Sequence, residues 1–94
     1  MEQHEFIWLA NNMQIETVRQ DEIGHTEVEL RPHIKITHDY NSHNLMLLSF
    51  TETRDFYKIP SKDALEDIFR LHLTNENLEM PLREYADANL TRLN

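Results

Sequence analysis

His25-Thr26-Glu27-Val28-Glu29-Leu30-Arg31-Pro32-His33-Ile34-Lys35-Ile36-Thr37-His38-Asp39 is the stretch that decides the fold. Thr26, Val28, Leu30, Ile34, Ile36 and His38 fall on one side of an extended chain, and Glu27, Glu29, Arg31, His33, Lys35, Thr37 and Asp39 on the other. A period of two with one apolar and one charged side is the signature of antiparallel strand packed on a core by one face only. Pro32 has no N–H to give to a ladder, so the stretch reads as a long bent strand or as two strands meeting at an edge or bulge.

Downstream, Asp39 to Asn44 is rich in turn residues. Leu45 to Thr51 then carries apolar residues on both faces and is expected to be a central strand. Glu52 to Asp55 reads as a further turn, and Phe56 to Ile59 as a short strand ended by Pro60. Ser61 is a good helix N-cap with Asp63 behind it, and Leu65, Ile68, Phe69 and His72 recur at helical spacing, which predicts a helix over 61–74. A second helical period, Leu82, Tyr85, Ala86, Asn89, Leu90 and Leu93, predicts a helix over 81–92 with Pro81 in its first turn.

Upstream, Glu5 to Ala10 reads as a first strand, Asn11-Asn12 as a two-residue turn, and Met13 to Arg19 as the returning strand. The expected fold class is therefore α+β: an antiparallel β-meander of about five strands followed by two C-terminal helices, packed on the sheet or at a dimer interface. Ninety-four residues make a single domain over 1–94, with room for a core but little for a deep cavity.

Composition narrows the function classes. Seventeen acids against nine bases disfavour direct nucleic-acid or anionic-membrane binding, both of which draw on Lys/Arg surfaces. Without cysteine there is no disulfide framework and no thiolate metal site. The N-terminal stretch lacks the basic and long apolar regions of a signal peptide, and no run approaches the roughly eighteen apolar residues of a membrane span, so a cytoplasmic protein is expected.

The acidity is uneven. Residues 1–30 hold seven acids and one base, and residues 31–94 hold ten and eight. If the second strand pairs with the third across Asp21-Glu22-Ile23-Gly24, with Ile15 and Thr17 facing the side of Val28 and Leu30, Glu16 stands opposite Glu29. Glu27 then lies beside them, and Asp21 and Glu22 sit at the turn. Like charges directly opposite cost up to about 1 kcal/mol, so the arrangement reads either as a face for a basic partner or as solvated charge that keeps the chain soluble.

Other chemistry finds less support. His38 and His43 flank one turn with ligand types that zinc accepts, yet nothing in the pattern brings their rings together, and no cofactor is expected. Ser42, Ser49 and Ser61 sit in no nucleophile elbow, and one glycine cannot build a phosphate-cradling loop, so no enzyme is expected. Trp8, alternating with Phe6, is expected in the core, with an interface anchor as the other reading. Tyr40, Phe56 and Tyr57 rank behind it as contact residues.

The expectation is thus a small acidic protein-binding module of bacterial or phage type. In its most concrete form it is an inhibitor, antitoxin, immunity or anti-defence protein occupying a basic nucleic-acid-binding surface of a partner through Glu16, Asp21, Glu22, Glu27 and Glu29. The alternatives are an assembly subunit that dimerises through Leu82, Tyr85, Leu90 and Leu93, and a small-ligand or metal module around His38 and His43.

Overall fold

A computed structural model describes residues 1–15, 18–21 and 24–94. The elements run α1 (Gln3–Asn12), β1 (Val18–Gln20), β2 (His25–Arg31), β3 (Ile34–Asp39), β4 (Leu45–Phe50), β5 (Asp55–Lys58), α2 (Lys62–Thr74), α3 (Glu79–Asn89) and β6 (Thr91–Arg92). The strands form one antiparallel sheet in the order β1-β2-β3-β4-β5-β6. The α+β meander with two C-terminal helices is therefore present, with an N-terminal helix and a sixth strand added to it.

The alternation over residues 25–39 holds residue by residue. Thr26, Val28, Leu30, Ile34, Ile36 and His38 are all buried, while the residues between them are exposed or half-exposed. The chain reverses at Pro32-His33, so β2 and β3 form a hairpin, and a register irregularity between Glu29 and Arg31 keeps the same face inward on both strands. Met46, Leu48, Phe50 and Tyr57 continue the buried face across β4 and β5. Leu65, Ile68 and Phe69 of α2, Leu82 and Ala86 of α3, and Phe6, Leu9 and Ala10 of α1 complete one core.

The predicted first strand is a helix. Phe6, Leu9 and Ala10 recur at helical spacing and face β2 and β3, while Trp8 points the other way and is 59% exposed. Asn11-Asn12 is accordingly the last helical turn and not a hairpin. The helix ends with Gln14 at a positive φ of 61°, the Gln14 N–H donating to the Asn11 carbonyl at 3.2 Å and the Ile15 N–H to the Ala10 carbonyl at 2.9 Å. That pair of bonds is a Schellman termination, sealed by the burial of Ile15.

This ending corrects the predicted register. Ile15 belongs to the helix stop and sets no strand phase, and β1 pairs as Val18 with Val28, Arg19 with Glu27 and Gln20 with Thr26, one residue out from the expected alignment. A cation, Arg19, therefore stands opposite Glu27. The expected Glu16–Glu29 opposition falls on Glu16, which lies outside the described residues, as does Glu22.

α2 starts where expected: the Ser61 hydroxyl accepts the Ala64 N–H at 3.3 Å. Its other end is held by Arg31, which donates to the His72 carbonyl at 3.4 Å, to the Asn75 carbonyl at 3.2 Å and to His72 Nδ1 at 2.6 Å. The cation thus meets the negative end of the helix and its last free carbonyls. Burial, then the Arg31 charge, holds the His72 pKa below its ordinary 6.5. As pH falls through 6.5 the unfolded chain takes up this proton and the folded one does not, so His72 lowers stability with acidification until its own folded pKa is reached. In urea titrations across that window, His72→Gln, which keeps an acceptor for Arg31, is expected to lose less stability than the wild type. An equal loss would remove His72 as a cause.

α3 and β6 are tied back to the sheet through Asp55. Its carboxylate accepts from Arg83 at 3.0 Å, from the Thr53 hydroxyl at 2.8 Å and from Arg92, and the Arg83 guanidinium lies 4.1 Å from the centre of the Phe50 ring. The bonds from Arg83 and Thr53 hold the Asp55 carboxyl below its usual pKa range.

Candidate functional site

All three helices bury their apolar residues in the single core, so the helices occupy one face of the sheet and no described element covers the other. Strand register sets what that uncovered face presents. Arg19, Glu27, Thr37, Leu47 and Lys58 make one row across β1 to β5, followed on one side by Glu29, Lys35, Ser49 and Phe56 and on the other by His25, Asp39 and Leu45. The β1–β2 half is charged and the β4–β5 half carries the apolar residues.

A groove of about 500 Å³ lies on this face. Leu45 and Leu47 contribute apolar surface, and Asp21, Glu27 and Asp39 line it together with Arg19, His25 and Thr37. The volume is within the range of small-ligand pockets.

The carboxylates are held by local bonds. Asp39 starts a short 3-10 turn, accepting the Asn41 N–H at 3.0 Å and the Ser42 hydroxyl at 2.8 Å. The Ser42 bond, aided by His25 against partial desolvation, keeps the Asp39 carboxyl below its usual range. Asp21 accepts the His25 N–H at 2.9 Å, which closes the β1–β2 turn. The His25 ring spans the two acids, Nδ1 lying 3.3 Å from Asp21 Oδ2 and Nε2 3.2 Å from Asp39 Oδ2. Lys35 lies between Glu27 and Glu29 at 3.4 and 4.0 Å. Ion pairs this exposed contribute little to stability, and they position the groups more than they hold the fold.

Gly24 makes this corner. Its φ of 92° suits glycine, and a Cβ there would come within 2.9 Å of the Asn41 side chain, so the β1–β2 turn and the β3–β4 turn can pack closely. Tyr40, whose N–H donates to the Gly24 carbonyl at 3.0 Å, is 56% exposed beside them.

Of the residues singled out from sequence, Asp21 and Glu27 line the groove and Glu29 lies in the next row of the same face. Leu82 is fully buried in the chain's own core, Tyr85 and Leu90 are half-buried against it, and Leu93 is exposed. His38 is sealed inside, stacked 5.4 Å from Phe6, with its Nε2–H donating to the Met1 carbonyl at 2.8 Å. His43 is exposed at the end of the 3-10 turn. Among the described residues no three metal-ligating side chains are grouped. Of the aromatics, Tyr57 is core and donates to Asp87 at 2.6 Å, whereas Trp8 stands exposed on the helical layer.

Leu45, Leu47, His25 and Asp39 were not singled out for this surface. For Leu45 and Leu47 the signal is the apolar alternation of β4 on its second side, whose exposure depends on where the helices pack, and for Asp39 it is a place on the polar side of β3.

Fold and site define a two-layer α+β domain with one sheet face that no described element covers. No family model matches the chain, and searches of curated proteins and of solved structures found no match. No helix among the described residues is long and apolar enough to cross a membrane.

Proposed function

We propose that this domain is a protein-binding module that occupies a basic, nucleic-acid-binding surface of a partner protein, as an inhibitor, antitoxin, immunity or anti-defence protein does. The observation that carries this reading is the uncovered sheet face, where one groove is lined by Leu45 and Leu47 together with Asp21, Glu27 and Asp39. A flanking acidic field speeds encounter with a basic surface and sets its orientation, and apolar area next to it supplies short-range affinity. Arg19 and Lys35 add register to the contact, since a partner must place acids or neutral groups opposite them. Burial of Leu82 in the core favours this reading over self-association through α3.

The test is affinity capture with the wild-type domain, followed by a displacement assay on the captured protein. The expected partner is basic, is released as salt is raised, and loses bound nucleic acid when the domain is added. Capture of no basic protein, or of one that binds nucleic acid and the domain at once, would overturn the proposal.

A further inference from the structure

We infer that the uncovered sheet face pairs with the same face of a second copy of this chain, about a two-fold axis that crosses β3 at Thr37. The contact involves this chain alone and is independent of the partner reading above. Among the described residues the face carries four carboxylates, Asp21, Glu27, Glu29 and Asp39, against three permanent cations, Arg19, Lys35 and Lys58. That is a net of one negative charge, whereas the whole chain carries eight. Two copies of an acidic chain repel each other over most approaches, and a nearly neutral face with both signs interspersed is where contact is opposed least.

The order of the charges sets the register. Outward on β3 stand Lys35, Thr37 and Asp39, a cation and an acid at equal spacing on either side of a neutral residue. In a two-fold contact residue i meets residue j and j meets i. Crossing at Thr37 with the strands reversed therefore sets Lys35 against Asp39 of the second copy, and Asp39 against its Lys35. On β2, His25 comes opposite Glu29 of the second copy, and on β4, Leu47 comes opposite Leu47 with Leu45 beside it. Facing sheets lie about 10 Å apart, a gap that side chains from both sides fill. Glu27 meets Glu27 in this register, and the repulsion is offset by Arg19 opposite it on β1 and by Lys35 at 3.4 Å. Arg19 and Lys58 fall at the two ends of the middle row, where the crossing of twisted sheets draws like charges apart. The bonds that Asp39 and Lys35 make within the chain persist, so the charges supply orientation, and Leu45, Leu47 and the exposed Phe56 supply apolar area.

The area fits a weak dimer. Strands β1 to β5 about 4.8 Å apart, with six residues of about 3.3 Å each along β3 and β4, make a face of roughly 24 by 20 Å. Two such faces bury at most about 1,000 Å² in total, the size of an exchangeable contact.

The experiment is sedimentation of the purified domain from micromolar to millimolar concentration, with thermal unfolding to establish that each variant is folded. The wild type is expected to pass from monomer to dimer across that range. Lys35→Asp sets acid against Asp39 twice in each dimer and should weaken association by at least about tenfold. Lys62→Asp, the same charge change at an exposed position of α2, should leave it nearly unchanged. Leu47→Asp should remove the dimer without relying on the Lys35 charge. Mixing the Lys35→Asp chain with the Asp39→Lys chain should restore association, since each then offers the charge that the other lacks. A strict monomer at millimolar concentration, a dimer that survives both Lys35→Asp and Leu47→Asp, or an equal loss with Lys62→Asp would overturn the inference. A mixture of the two folded variants that stays monomeric would overturn the crossing at Thr37. Failure of the dimer leaves the protein-binding reading standing, and failed capture of a basic protein leaves the dimer standing.

Discussion

Phe6→Ala is expected to destabilise the domain by about 3–5 kcal/mol, and Trp8→Ala by no more than about 0.5 kcal/mol, although the two residues lie two positions apart on the same element. Phe6 is fully buried and stacks on His38, so its removal leaves a cavity between α1 and the sheet. It also takes the packing from a buried histidine whose Nδ1 has no partner among the described residues. Trp8 is exposed on the outer side of the helix, and its truncation opens no cavity. Against a typical domain stability of about 5–15 kcal/mol the first change is large. Urea unfolding midpoints of the two variants decide the matter. Similar losses for both would be the result of a strand, in which Phe6 and Trp8 share a face, and would contradict the helix.

That contrast shows where the sequence was legible and where it was not. β2 and β3 could be read because a strand half in water writes its period directly into side-chain polarity, from Thr26 to His38. α2 could be read because a Ser61 cap precedes Leu65, Ile68 and Phe69. In α1 the run Phe6-Ile7-Trp8-Leu9 satisfies either period, the true stripe of Gln3, Phe6, Leu9, Ala10 and Met13 begins on a polar residue, and Glu2 makes no side-chain cap to announce the start. Gln3 belongs on that stripe because its amide donates to the buried Thr26 hydroxyl at 2.8 Å, a bond between distant segments.

β6 is likewise a tertiary product. Thr91 and Arg92 form a strand because the Leu93 N–H donates to the Phe56 carbonyl at 2.8 Å and Arg92 reaches Asp55, and no local propensity encodes that. The site was half visible for the same reason. Asp21, Glu27 and Glu29 could be placed on a polar face from alternation alone. Joining them to Leu45 and Leu47 required knowing that all three helices pack on the opposite side. Ile15, read as strand, shifted the register by one and concealed the pairing of Arg19 with Glu27.

The second large effect is on binding. Glu27→Lys with Glu29→Lys converts the middle of the uncovered face from two acids around Lys35 to three adjacent cations, with Arg19 as a fourth opposite position 27. Like charges neighbouring on a sheet cost up to about 1 kcal/mol per pair, which a folded domain tolerates, whereas a basic partner would meet repulsion in place of attraction over the whole contact. Asp67→Lys with Glu84→Lys makes the same change in net charge on exposed helical positions. It separates the effect of a particular face from that of overall charge.

The most direct measurement is therefore capture of the partner by these two double variants beside the wild type, with thermal unfolding followed in parallel to establish that each is folded. Reversal on the sheet face should abolish capture and reversal on the helices should leave it largely intact. Unchanged capture by the Glu27→Lys, Glu29→Lys variant, or equal loss by both, would contradict the uncovered sheet face as the working surface of this domain.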